Sequence, residues 1–102
     1  MILEVAVLNV KSGEEARFEA AFSKAGEFIQ AAQGYIGHEL RHCIGDSSKY
    51  LLLVRWVHLE DHTKGFRGSA GYQQWAALLH QFYKPFPQIE YYSEPLDFDV
   101  RC

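Results

Sequence analysis

The stretch YIGHELRHCIGDSSKYLLLVRWV, residues 35–57, decides the reading of this chain. Its first part, residues 35–44, alternates so that Ile36, His38, Leu40, His42 and Ile44 share one face, the signature of a strand. GDSSK is a turn. Residues 50–57 form a second apolar run rich in branched side chains, and the two pair as a hairpin. A hairpin in mid-chain is informative only through what flanks it.

Upstream, residues 2–10 are β-rich, with Val5, Val7 and Val10. Ser12 followed three places later by Glu15 reads as a capping box. Phe18, Phe22, Ala25, Ile29 and Ala32 then recur at helical spacing, giving an amphipathic helix of about 20 residues. Gly34 is placed as its left-handed stop. Downstream, EDHTKGFRGSAGYQQW (60–75) is helical at both ends but carries three glycines. Asp61 is a candidate N-cap, His62 and Phe66 share a face four residues apart, and Gly68 ends the first piece. Ser69 caps a second piece whose stripe is Tyr72, Trp75, Leu79 and Phe82. Pro85 and Pro87 close the region, and residues 88–95 form a fourth strand. The order β-α-β-β-α-β is the ferredoxin-like split arrangement: a four-stranded antiparallel sheet with helices on one face, in an α+β domain. The 102 residues suit one domain, with a core over about 2–95 and a tail, LDFDVRC, over 96–102.

Leu51, Leu52, Leu53 and Val54 make both faces of the third strand apolar, whereas a sheet with one wet face alternates. A second copy packed sheet on sheet, a homodimer, covers the remaining face. The competing reading is a thick apolar strand in a monomer. The formal net charge of −3 and scattered basic residues argue against nucleic acid. No run approaches a membrane span. Cys43 and Cys102 do not make a disulfide framework, and MILEVAVLNV reads as a strand rather than a leader; a reducing cytoplasm is expected.

A helix broken in the middle packs less closely on a sheet than a straight one, leaving a gap lined by Phe66, Tyr72 and Trp75, apolar with a few polar points. His38 and His42 stand about 13 Å apart along a strand, too far for one metal ion. His58 to His62, HLEDH, lacks supporting cysteines or an HExxH pattern, so no metal site is assigned.

The segment RWVHLEDHTKGFRGSAGYQQWAALLHQFY (55–83), with GYIGHELRH (34–42) before it, resembles the antibiotic biosynthesis monooxygenase family, of dimeric α+β barrel architecture. The resemblance covers roughly residues 2–95. It implies a cofactor-independent monooxygenase acting with dioxygen on a small aromatic quinol, phenol or anthrone, without metal or flavin. Such chemistry needs a base, a dry pocket and a hydrogen bond to the developing oxyanion. His62 is the first candidate base and His38 the second. Asn9 and Tyr72 are candidates to bond the substrate oxygen, Phe66 and Trp75 to wall the pocket, and His80 to contact the substrate. Arg67 is a candidate partner for a substrate carboxylate or for a surface carboxylate. Each has a plainer reading: His62 a solvated first-turn residue, His38 a dimer-core histidine, His80 a cation at a helix end, Asn9 a turn residue, Phe66 and Trp75 core. The alternatives are a non-catalytic dimeric binding module and a haem-degrading enzyme. The chain departs from the haem pattern at Phe66, at Ala76, where the axial histidine aligns, and at Asn9.

Overall fold

The computed structural model describes residues 1–98. Elements follow in the order β1 (Ile2–Asn9), α1 (Glu15–Gln30), β2 (Tyr35–His42), β3 (Lys49–Trp56), a π-helical segment (Asp61–Phe66), α2 (Ala70–Leu79), a 3-10 turn (His80–Phe82) and β4 (Ile89–Tyr92). The sheet order is β2-β3-β1-β4, antiparallel throughout. This is the expected α+β ferredoxin-like arrangement, with the helices on one face. The tail's residues 99–102, Cys102 among them, lie outside the described residues.

Strand parity sets what faces the helices. Along β1, Glu4, Ala6 and Leu8 are buried; along β3, Tyr50, Leu52, Val54 and Trp56 are. Phe18, Phe22, Ala25 and Ile29 of α1 and Trp75 and Leu79 of α2 pack against them. On the opposite face Leu3, Val5, Leu51 and Leu53 are half-buried and Val7 is exposed. At its β2 margin Glu39 bridges Arg55 at 3.3 Å and Arg41 at 3.0 Å. No element among the described residues covers this face.

Several local expectations are corrected. Strand β2 ends at His42, and Ile44 is fully exposed. A bulge between Tyr35 and Gly37 shifts the register, so Tyr35 pairs with Trp56 and His38 with Val54. An extra residue reverses side-chain parity, which puts Ile36, 49% exposed, off the face shared by Tyr35, His38 and Leu40. Helix α1 has 16 residues, and Ser12 does not cap it. Glu14 stands at its start, and the Glu15 carboxylate accepts instead from Ser48 Oγ at 2.5 Å, a tertiary partner winning over the local one. Asp61 is the first π-helical residue rather than the cap, and its carboxylate accepts from the backbone N–H of His58 at 3.0 Å. Gly34 adopts a left-handed φ of 80° but is not the helix stop: α1 ends at Gln30 with Ala31 as a right-handed cap, and a Cβ on Gly34 would stand 2.0 Å from Asp61 Oδ2.

Candidate active site

The broken helix is resolved as a π turn followed by a clean restart. The backbone N–H of Arg67 reaches back five residues to the carbonyl of His62, 3.1 Å away. A wide turn of this kind fits one more residue per turn than an α-helix and re-aims the side chains around it. Gly68 makes the exit possible, since a Cβ there would lie 2.7 Å from the Lys64 carbonyl. Ser69 then caps α2, its Oγ accepting from the Tyr72 N–H at 3.1 Å. His62 and Phe66 are thereby driven inward, 4% and 2% exposed.

His62 lies over the end of β3, its ring centroid 5.3 Å from that of Trp56. Beneath both is Glu4, a carboxyl only 4% exposed. Trp56 Nε1 donates to Glu4 Oε1 at 2.9 Å, and His62 Nε2 stands 3.5 Å from the same oxygen. His62 Nδ1 bonds the Tyr91 hydroxyl at 2.6 Å. Tyr91 is the cross-strand partner of Glu4, so β1, β3, β4 and the π segment all contribute to one cluster. The arrangement is satisfied when Nε2 presents its N–H to the carboxyl and Nδ1 accepts from Tyr91.

Burial governs the charges here. It pushes the His62 pKa down to about 4, with the nearby Arg67 cation pushing the same way. Burial also raises the Glu4 carboxyl above its usual range, against the opposing pull of the Trp56 hydrogen bond and Arg67. Tyr91 is raised chiefly by burial. Imidazole and carboxyl therefore both lean toward their uncharged forms, as groups taken out of water do.

Above this cluster is a cavity of about 30 Å³, walled in part by Glu4, His62, Phe66, Tyr72, Trp75 and His80. It has room for a molecule the size of water or dioxygen. Phe66 packs edge-on against Tyr72 and Trp75, with centroids 5.5 and 6.0 Å away. His80, half-buried, meets Tyr72 at 5.9 Å and the exposed Phe86 at 4.8 Å. Burial lowers its pKa, and Arg67 adds to that. Arg67 lines the same cavity, is exposed, and makes no ion pair among the described residues.

Of the residues singled out in the sequence, the structure brings His62, Phe66, Tyr72, Trp75 and His80 to this cavity. It does not bring His38 or Asn9. His38 sits on β2, bonded to the Tyr35 hydroxyl at 2.5 Å and packed on Phe22. It lies on the helix-covered face rather than in a sheet-to-sheet core, and its pKa is lowered by burial. Asn9 is exposed and falls on the opposite parity of β1 from Glu4, so it faces away from the helices. Glu4, Trp56 and Tyr91 were not anticipated. One sequence signal pointed to Glu4: a single carboxylate at an inward position of an otherwise apolar strand. Among the described residues no group of three His, Cys, Asp or Glu side chains is gathered as a metal site would need. No helix among them is long and apolar enough to cross a membrane.

The family model for antibiotic biosynthesis monooxygenase matches residues 1–78. The chain belongs to that family. Its likeness to the uncharacterized protein YczJ of Bacillus subtilis is 52% identity over 94 residues, covering 92% of this chain and 99% of that one. A crystal structure from Bordetella bronchiseptica, named for the same family, is 33% identical with a TM-score of 0.89, covering 93% and 97% of the two chains. SnoaB of Streptomyces nogalater, a cofactor-independent oxygenase, superposes with a TM-score of 0.81 over 97% of both chains. Its 16% identity makes it a likeness of fold alone.

Proposed function

We propose that this chain is a cofactor-independent monooxygenase that oxidises an electron-rich phenol, quinol or anthrone with dioxygen in the cavity beneath the broken helix. The supporting observation is the Glu4–His62 pair, buried in the wall of a cavity otherwise lined mostly by aromatic and aliphatic side chains. Triplet dioxygen reacts slowly with closed-shell organic molecules. It reacts faster with an anion that can give up one electron. Removing a proton from the substrate makes that anion, and a dry site keeps it reactive. For an anthrone the balance is simple. The methylene carbon loses two hydrogens and gains one oxygen as a carbonyl, and the other oxygen atom leaves as water. The substrate supplies all four electrons, so no separate reductant is required.

Phe66, Tyr72, Trp75 and His80 are the walls in this reading, and the Tyr72 hydroxyl is the group that bonds the substrate oxygen. A ring system needs more than about 30 Å³. Phe86 and Pro87 lie at the cavity's edge in the irregular segment before β4, and Phe86 is 56% exposed. Displacement of that pair admits the ring, leaving the present cavity for dioxygen. A second copy covers the apolar face of Leu3, Val5, Val7, Leu51 and Leu53, giving a homodimer with a sheet-on-sheet core.

The test is oxygen uptake by metal-free protein with a panel of anthrones and hydroquinones, against the Trp75→Ala, His62→Ala double variant. Uptake that needs the intact residues is expected. Saturable binding without uptake would instead make this a binding module.

A further inference from the structure

The cluster holds two candidate proton acceptors, and its geometry separates them. His62 has both ring nitrogens engaged: Nδ1 on Tyr91 and Nε2 against Glu4 Oε1. An imidazole in that position has no lone pair to offer the cavity without breaking the contact to Tyr91. Glu4 differs. Its Oε1 is held by Trp56 and His62, but Oε2 has no hydrogen-bond partner among the described residues. Nor is Oε2 among the side-chain oxygens sealed off without a partner. Glu4 lines the cavity, and Ala6, Leu8, Leu52 and Ile29 beside it offer no polar atom from their side chains.

We infer that Glu4, not His62, is the residue that takes the substrate proton, through its unpartnered Oε2. His62 is then a positioning residue, held by Tyr91 and holding Oε1. This inference rests on the cavity being the substrate site. In the step, a substrate C–H or O–H bond breaks and an O–H bond forms at Oε2. The electron pair stays on the substrate as an enolate or phenolate.

The groups facing the carboxyl from each packed element are Trp56 from β3, His62 and Arg67 from the π segment and its exit, and Tyr91 from β4. Burial makes the ionised carboxylate a stronger base than one in water, and the Arg67 cation supports the charge. A base works best when its pKa approaches the operating pH, and a raised carboxyl moves in that direction. A buried imidazole pushed down to about 4 moves away from it.

Anaerobic deuterium exchange at the methylene carbon of anthrone, followed by NMR in buffered D₂O, isolates proton removal from oxygen chemistry. Exchange above the buffer background is expected for the native protein. Glu4→Gln keeps an oxygen for Trp56 but loses the basic site, and should drop exchange at least 100-fold. His62→Asn should lower it less than 10-fold and move the midpoint of its pH dependence. Circular dichroism and the Glu4 Cδ chemical shift, followed with pH in ¹³C-labelled protein, check that fold and carboxyl titration are as described. Exchange retained in Glu4→Gln overturns the inference, as does no exchange in the native protein or a larger loss in His62→Asn. Exchange without aerobic oxygen uptake would leave Glu4 as the base and overturn the oxygenase reading instead.

Discussion

Trp56 donates its indole N–H to the carboxyl of Glu4 across 52 residues of sequence, at 2.9 Å, with both side chains removed from solvent. The bond joins the last residue of β3 to the inward face of β1, where Ile2 and Trp56 are register partners. It answers one lone pair of a buried carboxyl oxygen whose other neighbour, His62 Nε2, stands farther off at 3.5 Å. Trp56→Phe removes the donor and part of a fully buried ring. The expected cost is about 2–4 kcal/mol, from the orphaned acceptor and the space left behind. Urea denaturation at pH 7 measures it, and a cost under about 0.5 kcal/mol would deny the bond any structural weight.

Acid should unfold the protein partly through His62. Its folded pKa of about 4 lies below the ordinary 6.5. A depressed pKa means the folded state favours the neutral ring. That contribution is fully present above pH 6.5 and is lost as pH falls through 4. It amounts to about 3 kcal/mol. Thermal melts of the native protein and of His62→Gln across this window should converge at low pH. Parallel curves would place the acid sensitivity elsewhere.

Glu4 has the opposite sign. Its folded pKa is raised, so the neutral carboxyl's contribution is present below 4.5 and is lost as pH rises through the folded value. Glu4→Gln should therefore be more stable than the native protein at pH 8, with the gain shrinking toward pH 4. The expected result is a stabler but inactive variant, a common trade at a catalytic carboxylate. Chemical denaturation at the two pH values reads the difference directly.

Gly34 and Gly37 make a matched pair of tests. Gly34→Ala meets both a left-handed φ of 80° and a Cβ only 2.0 Å from Asp61 Oδ2. It should cost about 2 kcal/mol or more, by strain and by dislodging the Asp61–His58 bond that starts the π segment. Gly37→Ala has no neighbour within 4 Å and a permissive φ, and should change stability by less than about 0.5 kcal/mol. Equal effects at the two sites would contradict the described turn.

The open sheet face gives a prediction about assembly. Val5 and Leu53 are cross-strand partners on that face, half-buried in the single chain. Leu53→Asp places a charge in the middle of the proposed interface and should yield monomer in sedimentation velocity, with the native protein sedimenting as a dimer. A native monomer would remove the second copy from the proposal.

The elements and their order were legible in the sequence because they follow from local rules. Alternation marked β2, β-rich apolar runs marked β1 and β3, helical spacing marked α1 and α2, and Ser69 announced the restart of the broken helix. The apolar run Leu51–Val54 exposed the two-faced strand. What tertiary structure alone decided was partnership. Glu15 read as half of a capping box but turns to Ser48, because a hydroxyl from the β2–β3 turn lies within reach. Asn9 read as a site residue but faces away, because strand parity, fixed once Glu4 points inward, places it on the other side. The bulge at Tyr35–Gly37 moved Ile36 off the face its spacing assigned. His62 was singled out by type, yet its place in the site depends on Glu4, Trp56 and Tyr91, carried on three different strands. Helix and strand periodicity are encoded within a few residues. A hydrogen bond between residues 52 apart is encoded only in the register of a folded sheet.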